Sequence, residues 1–177
     1  MNRRIVWLLV ALAVVVAGAI VAPFFRSSQG MRAAGPAGLA GEPAPVFALR
    51  DDAGAPVSLA AYRGKIVVMN LWASWCPPCR AEMPELQRFA DAYRARGVVV
   101  VGVNQGESAQ RASAFARALH INFPIWLDDR QQYGRVYTAL GLPTTVVIGR
   151  DGTVARGFDG PLTFAQLRAA VAGVPAR

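Results

Sequence analysis

The two cysteines of this chain stand close together, in a Trp-Cys-Pro-Pro-Cys segment at residues 75–79. Residues 66–72 precede them and form a nearly unbroken apolar run rich in β-branched side chains. Such a run is typical of a strand buried on both faces. After them comes a pattern that predicts a helix. A Cys-x-x-Cys pair between a strand and a helix is a fairly specific signal for reversible thiol-disulfide exchange.

The predicted helix covers about residues 77–96, and five of its side chains fall at spacings of three and four. This stripe, which should face the core, consists of Cys79, Met83, Leu86, Ala90 and Tyr93. Cys79 is therefore expected to be buried. Cys76 lies just before the first helical turn, where unpaired N–H groups and the positive end of the helix dipole favour an anion.

A thiolate at that position should have a lowered pKa, and we therefore predict that Cys76 is the nucleophile. Pro77 and Pro78 are well suited to a helix start, but they also remove two N–H groups that could have faced the sulfur. We expect the amide of Cys79 to remain as a donor to Cys76.

Two other roles for the cysteine pair are weaker. A zinc site needs about four ligands, and the sequence offers only the pair and the distant His120, which is most simply a residue at a helix end. A purely structural disulfide that closes so short a loop would constrain the unfolded chain little.

The net charge of +8 over 177 residues is spread along the sequence rather than gathered in one segment. The first forty residues carry four arginines and no acid, which leaves 15 Lys or Arg against 11 acids in the remainder. No basic run interleaved with aromatic residues suggests nucleic-acid binding.

The segment 5–22 contains only apolar residues and glycine, and its 18 positions are enough to cross a bilayer as a helix. Arg3 and Arg4 precede it and place its start in the cytoplasm. We predict a transmembrane anchor over 1–25, a flexible Gly- and Ala-rich linker over 26–41 and an exported domain over 42–177. A cleaved signal peptide, cut near Ala17-Gly18-Ala19, is the alternative.

Within the domain, patterning predicts a hairpin at about 47–59 and buried strands at 66–72 and 98–103 with the cysteine helix between them. Ser108 should cap a second helix that ends near His120, and Pro84 should kink the first one. A strand at 123–127, a helix at 130–139, a strand after Pro143, a hairpin at Asp151-Gly152 and a last helix capped by Thr163 and Gln166 complete the prediction.

The cysteine segment at a strand-to-helix turn and the later Gly-Leu-Pro-Thr-Thr at 141–145 resemble the thioredoxin superfamily. More closely, the chain is similar to the membrane-anchored thiol-disulfide oxidoreductases of the TlpA/ResA group. The likeness extends over about 42–175. It includes the matching segments 44–49, 63–65, 103–108 and 143–145.

The resemblance implies an α/β, thioredoxin-like fold, in which helices flank a central mixed sheet with an N-terminal hairpin and a strand-helix insertion at about 104–124. It also implies a cis Pro143 beside the cysteines and makes Leu142, Pro143 and an exposed Trp75 the substrate-binding candidates, whereas Trp72 is expected in the core. One departure is Asn70, which stands where many thioredoxins carry a buried aspartate. Another is the Pro-Pro dipeptide, which leaves the redox potential open.

Exchange chemistry makes Cys76 and Cys79 catalytic, with no cofactor beyond their redox-active disulfide. Glu82, one helical turn after Cys79, is a candidate acceptor for its proton, and a solvated helix residue is the alternative. Glu107 is a second candidate for proton transfer, although a charge at a helix start is the simpler interpretation.

The resemblance implies an extracytoplasmic reductase of the oxidised Cys-x-x-Cys of apocytochrome c, supplied with electrons by a membrane thiol transporter of the DsbD or CcdA type. An alternative is the reduction of copper-site cysteines during terminal-oxidase assembly. A copper(I) metallochaperone is weaker, because no Met or His cluster adds ligands. A peroxiredoxin is also weak, since its threonine three residues before the reactive cysteine is Ala73 here.

Overall fold

A seven-stranded mixed sheet forms the centre of the computed structural model, which describes residues 39–137 and 139–174. Its strands are β1 (Leu49–Asp51), β2 (Pro56–Val57), β3 (Ile66–Trp72), β4 (Val98–Gln105), β5 (Ile125–Asp128), β6 (Thr144–Ile148) and β7 (Val154–Asp159). Four α-helices flank the sheet: α1 (Pro77–Tyr93), α2 (Ala109–Ala118), α3 (Gln132–Val136) and α4 (Phe164–Ala172). The predicted anchor and residues 26–38 of the predicted linker lie outside the described residues. Among the described residues, no helix is both long and apolar enough to cross a bilayer.

The order of the strands is β2-β1-β5-β4-β3-β6-β7, with β3, β4 and β5 parallel and the other neighbours antiparallel. This is the mixed thioredoxin-like sheet that the resemblance implied. The β3-α1-β4 unit is present as predicted. Because β3, β4 and β5 are parallel, their carboxyl ends meet at one edge of the sheet, which is where α/β proteins place their functional residues.

All seven residues of β3 are buried, because the sheet is covered on both faces. Side chains that alternate along the strand enter different cores. Val68 and Trp72 join the core beneath α1, α2 and α4, whereas Met69 and Leu71 join the core on the face of α3. This double burial explains why the run in the sequence is apolar except for Asn70.

Helix α1 ends at Tyr93 rather than at residue 96, because the last three residues of the predicted span form a 3₁₀ turn, Arg94–Arg96. Gly97 then stops it with a φ of 74°, a left-handed conformation that glycine adopts without a steric penalty. The predicted apolar stripe is confirmed, since all five of its residues are buried. The helix continues through Pro84 as a single element.

The short strands and helices follow the prediction with shifted bounds. The hairpin of β1 and β2 is confirmed, and the Oδ1 atom of Asp51 closes its turn by accepting the amides of Ala53 and Ala55. Ser108 caps α2 as predicted, accepting the amide of Arg111. By contrast, α3 has only five residues instead of ten. It starts at Gln132 rather than at residue 130, because Gln131 before it is left-handed at φ 52°.

The C-terminal third contains the predicted cis peptide bond, between Leu142 and Pro143. The predicted hairpin is confirmed, since β7 pairs with β6 across the Asp151-Gly152 turn. The capping box of Thr163 and Gln166 at the start of α4 is confirmed. At the outer edge of β7, Val154 exchanges backbone hydrogen bonds with residues 41 and 42.

We predict that Leu86→Ala lowers the free energy of unfolding by about 2–5 kcal/mol, because Leu86 is fully buried on the core-facing side of α1 and truncating its side chain leaves a cavity. Urea denaturation measures the change. Arg88→Ala is the control on the same helix, and its exposed side chain should alter the free energy by less than about 1 kcal/mol. Equal effects of the two substitutions would contradict the assignment of this helix face.

Candidate active site

Cys76 is the N-cap residue of α1, and its sulfur accepts a hydrogen bond from the amide of Cys79 at 3.2 Å. The predicted donor is therefore in place. Because Pro77 and Pro78 have no N–H, the Cys79 amide is the first one of the helix that can reach the sulfur. A thiolate on Cys76 would thus gain one direct hydrogen bond and the favourable field of the helix terminus.

In the structure Cys76 and Cys79 form a disulfide. Both are buried, with relative exposures of 3% and 1%. The predicted burial of Cys79 is confirmed, but exposure hardly distinguishes the two cysteines in this oxidised form. Position does distinguish them, since Cys76 caps the helix and Cys79 lies within its first turn on the core-facing stripe.

The loop that carries the cis peptide lies against the sulfur of Cys76. The carbonyl oxygen of Leu142 is 3.5 Å from the Cys76 Sγ atom, a contact without a proton while the disulfide is closed. Pro143 is buried, and its carbonyl already accepts the amide of Gly160 at 2.8 Å. The backbone of Leu142 is therefore the part of this loop that is placed to meet a substrate.

Trp75 is 62% exposed beside this loop, as the resemblance implied, and Trp72 is fully buried. An open groove of about 620 Å³ begins at Trp75 and Leu142 and continues past Gly141 to Leu140, which is 82% exposed. Exposed apolar side chains beside a reactive pair suit a polypeptide segment rather than an enclosed small molecule.

Glu82 is only 2% exposed, so its interpretation as a solvated helix residue is wrong. One carboxylate oxygen accepts the Nδ2 group of Asn70 at 3.0 Å, and the other accepts the amide of Leu162 at 2.7 Å. Burial raises the pKa of Glu82 to about 7, and these two hydrogen bonds moderate the increase. A carboxyl with this pKa can accept and release a proton near neutral pH.

Asn70 connects Glu82 to the cis-proline segment. Its Nδ2 group donates to the Oγ1 atom of Thr145, as well as to Glu82, at 3.0 Å. Sequence reasoning missed Thr145 and Leu162 as partners in this network. An amide in the middle of an otherwise apolar buried strand was the available signal, because a buried polar group requires hydrogen-bond partners.

Glu107 follows β4 and holds the segment before the cysteines. Its carboxylate accepts the amide and hydroxyl of Ser74 at 2.7 and 2.6 Å, and the Nδ2 group of Asn104 at 2.7 Å. It also forms a 3.0 Å ion pair with Arg111. Burial raises the pKa of Glu107, but these hydrogen bonds and the arginine outweigh it, so the pKa is lowered.

A carboxylate with a lowered pKa stays ionised and is a weak base, so these contacts favour a positioning role for Glu107 over proton transfer. The structure thus brings Cys76, Cys79, Leu142 and Pro143 together, with the two glutamates in separate hydrogen-bond networks. His120 lies apart from them, exposed and left-handed just after α2. Across the part of the chain that the structure describes, no group of three His, Cys, Asp or Glu residues could hold a metal ion.

The fold and the disulfide at the start of α1 define a thioredoxin-like thiol-disulfide oxidoreductase. Comparison with known families matches residues 40–156 to the AhpC/TSA family, and the chain belongs to this family. It is 36% identical to the thiol-disulfide oxidoreductase ResA of Bacillus subtilis over 127 residues, which cover 72% of this chain and 71% of the relative. It is 32% identical to the sporulation thiol-disulfide oxidoreductase A of the same organism over 126 residues, covering 70% and 76%.

Solved structures agree with this assignment. StoA from Bacillus subtilis matches with a TM-score of 0.62 and 30% identity, covering 72% of this chain and 96% of that one. A thiol:disulfide interchange protein of the thioredoxin family from Chlorobium tepidum matches with a TM-score of 0.66 and 29% identity, covering 73% and 93%.

Glu82 should make stability depend on pH. Its pKa is about 7 in the folded protein and lies near its ordinary value of 4.5 in the unfolded chain, so the stability present below pH 4.5 falls as the pH rises through 7. Between these limits Glu82 should lower the free energy of unfolding by about 3 kcal/mol, and we predict that Glu82→Gln removes this decrease. Urea denaturation of both proteins at pH 4.5 and 8 measures it. Parallel pH profiles for the two proteins would contradict the raised pKa.

Proposed function

We propose that this protein is an extracytoplasmic disulfide reductase that acts on protein substrates, and that its substrate is the oxidised Cys-x-x-Cys of apocytochrome c. The observation that carries the proposal is the open groove lined by Trp75 and by Leu142, whose carbonyl contacts the sulfur of Cys76. Such a surface fits an extended polypeptide, whose backbone can pair beside the cis-proline loop. The likeness to the TlpA/ResA group supports the choice of apocytochrome c.

The reaction begins with the reduced pair. The Cys76 thiolate attacks one sulfur of the substrate disulfide, forming a mixed disulfide and releasing the other substrate sulfur as a thiolate. Cys79 then loses its proton and attacks the Cys76 sulfur, which releases the second substrate thiolate. Two electrons pass to the substrate, and Cys76 and Cys79 end as the disulfide that the structure contains.

Glu82 is placed to accept the proton that Cys79 loses. It follows Cys79 by three residues, about one helical turn, and is buried like Cys79 on α1, and its pKa of about 7 suits transfer in both directions. Asn70 fixes the carboxylate through the 3.0 Å hydrogen bond to its Oε2 atom, so its amide positions a carboxylate where a thioredoxin would carry its own acid.

Reduction of the Cys76–Cys79 disulfide after each reaction requires an electron donor, and we assign this role to a membrane thiol transporter of the DsbD or CcdA type. The chain would be held at the same membrane by residues 1–25, with the domain over 42–177 on the extracytoplasmic side. The arginines before the apolar segment and its 18-residue length support this placement.

A Cys79→Ser variant of the full chain tests the substrate, because its mixed disulfide through Cys76 cannot be resolved. We expect mass spectrometry of the trapped complexes to find a Cys-x-x-Cys-His peptide of a c-type cytochrome joined to Cys76. The double variant Cys76→Ser/Cys79→Ser is the control. If the trapped peptides come instead from a copper-binding oxidase subunit, or do not exceed the control, the apocytochrome proposal is wrong.

Stopped-flow reduction over a range of pH tests the division of roles between the two glutamates. Glu82→Gln should slow resolution of the mixed disulfide by about 10²- to 10⁴-fold and leave the first attack by Cys76 largely intact. Glu107→Gln keeps an acceptor for Ser74 and should retain the pH profile of the resolving step. An unchanged profile in the Glu82 variant would leave water or Glu107 as the proton acceptor.

A further inference from the structure

The end of the sheet opposite the disulfide is formed by three loops, 63–65, 94–97 and 149–153. The amide of Gly64 donates to the carbonyl of Arg150 at 2.9 Å, and the Arg150 guanidinium donates back to Gly64 at 2.8 Å and to Arg96 at 3.5 Å. These bonds join the loops into one surface, which we call the basic end.

Basic side chains predominate on this surface and on the strand beside it. They are Arg63, Lys65, Arg94, Arg96, Arg150 and Arg156, and the acids near them are Glu42, Asp91 and Asp151. Among the other described residues from 42 onward, eight basic residues stand against eight acids. The excess positive charge of the domain is therefore concentrated at the end away from the active site.

Among the described residues, no carboxylate accepts a hydrogen bond from these side chains, although the charge of Arg63 acts on the nearby Asp151. The guanidinium groups of Arg63 and Arg150 donate to backbone carbonyls, which carry no net charge. Among the residues that the structure describes at this end, one ion pair forms, between Arg94 and Asp91 at 3.7 Å; it is exposed and contributes little. Lys65 is exposed at the tip of its loop.

The N-terminal segment of the domain joins the fold at this same end. The amide of Gly41 donates to the carbonyl of Val154 at 2.8 Å, and the amide of Ala44 donates to Gly152 at 2.9 Å. Residues 41–44, where the linker predicted over 26–41 meets the domain, therefore lie at the basic end. A Gly-rich chain of that length has a root-mean-square span of about 20–24 Å, so the proposed anchor would keep this surface close to the membrane.

We propose that the basic end docks on the anionic phospholipid headgroups of the membrane to which the chain is anchored. Each Lys or Arg near an anionic surface increases the binding constant for that surface by about fivefold. The linker makes the contact intramolecular, so weak individual interactions suffice. The proposal rests on the proposed anchor and on export of the domain, and it concerns a surface that the redox reaction does not use.

Docking in this way would orient the site. β3 runs from the basic end to the cysteine segment, and its 7 residues span about 23 Å at the usual rise per residue. The disulfide would then face away from the bilayer, toward substrates in the aqueous compartment. Salt or a lower content of anionic lipid would release the domain and let its site approach a donor in the membrane.

Hydrogen exchange of the full chain in nanodiscs tests the proposal. One set of discs contains phosphatidylcholine alone, and the other also contains about 30% phosphatidylglycerol. In the anionic discs we expect at least about fivefold slower exchange in loops 63–65, 94–97 and 149–153, with no change around Cys76 and Leu142. About 0.5 M sodium chloride should abolish the difference.

The variant Lys65→Gln/Arg94→Gln/Arg96→Gln should lose this protection. It retains Arg63 and Arg150, whose side chains hold the loops together, so the fold should be preserved. The matched control, Arg50→Gln/Arg88→Gln/Arg130→Gln, removes the same charge from α1 and from the cavity lined by Arg50 and Arg130, and should keep the protection. Disulfide reduction in phosphatidylcholine discs should be unchanged in both variants.

Several outcomes would overturn docking. These are equal exchange in the two kinds of disc, equal loss of protection in both triple variants, and protection at the cysteine segment instead of the basic end. Stronger protection by added polyphosphate than by anionic lipid would assign the surface to a soluble polyanion. Membrane fractionation of the same chain separates failure of the anchor from failure of docking, and the substrate trap tests the reductase independently.

Discussion

The site depends on a carboxylate that has been taken out of water. Glu82 is on α1, and its two oxygens are bound by Asn70 on β3 and by the amide of Leu162 before α4. An ionised carboxylate in such a place is costly, and the cost appears as a pKa of about 7. The buried position of Glu82 therefore depends on the packing of the sheet, α1 and the segment before α4.

The pKa values of the two glutamates of the site are shifted in opposite directions by their surroundings. Glu82 has two donors and is dominated by burial, whereas Glu107 has three hydrogen bonds from Ser74 and Asn104 and the charge of Arg111. Pairs of carboxyls whose pKa values are pushed apart commonly divide acid-base work and electrostatic positioning between them. Here the first can exchange a proton near neutral pH, and the second remains an anion that holds the loop before Cys76.

The local features of the chain could be predicted from the sequence, because they are set by residues close to one another. The apolar run of β3, the stripe of α1 and the capping box at Thr163 all follow from spacing or from capping chemistry. The hydrogen bond from the Cys79 amide to the Cys76 sulfur could be predicted in the same way, because the two prolines leave that amide as the first donor.

The features that the sequence did not reveal depend on distant partners. Leu162 binds Glu82 from 80 positions away, and Ser74 binds Glu107 from 33 positions away, which no local pattern could show. α3 was predicted too long because helical spacing does not show that Gln131 is left-handed. Its first turn is held instead by Asp128, whose buried carboxylate accepts the amides of Gln132 and Tyr133 at 2.8 Å.

The sheet ends at β2 on one side and at β7 on the other, and both edges are poor templates for aggregation. β2 has only two residues and begins with a proline, which cannot donate to a further strand. The start of β7 is occupied by residues 41–44, and Arg156 places a charge farther along that strand. Proteins at high local concentration meet their neighbours repeatedly, and these blocked edges would keep such encounters from growing into intermolecular sheets.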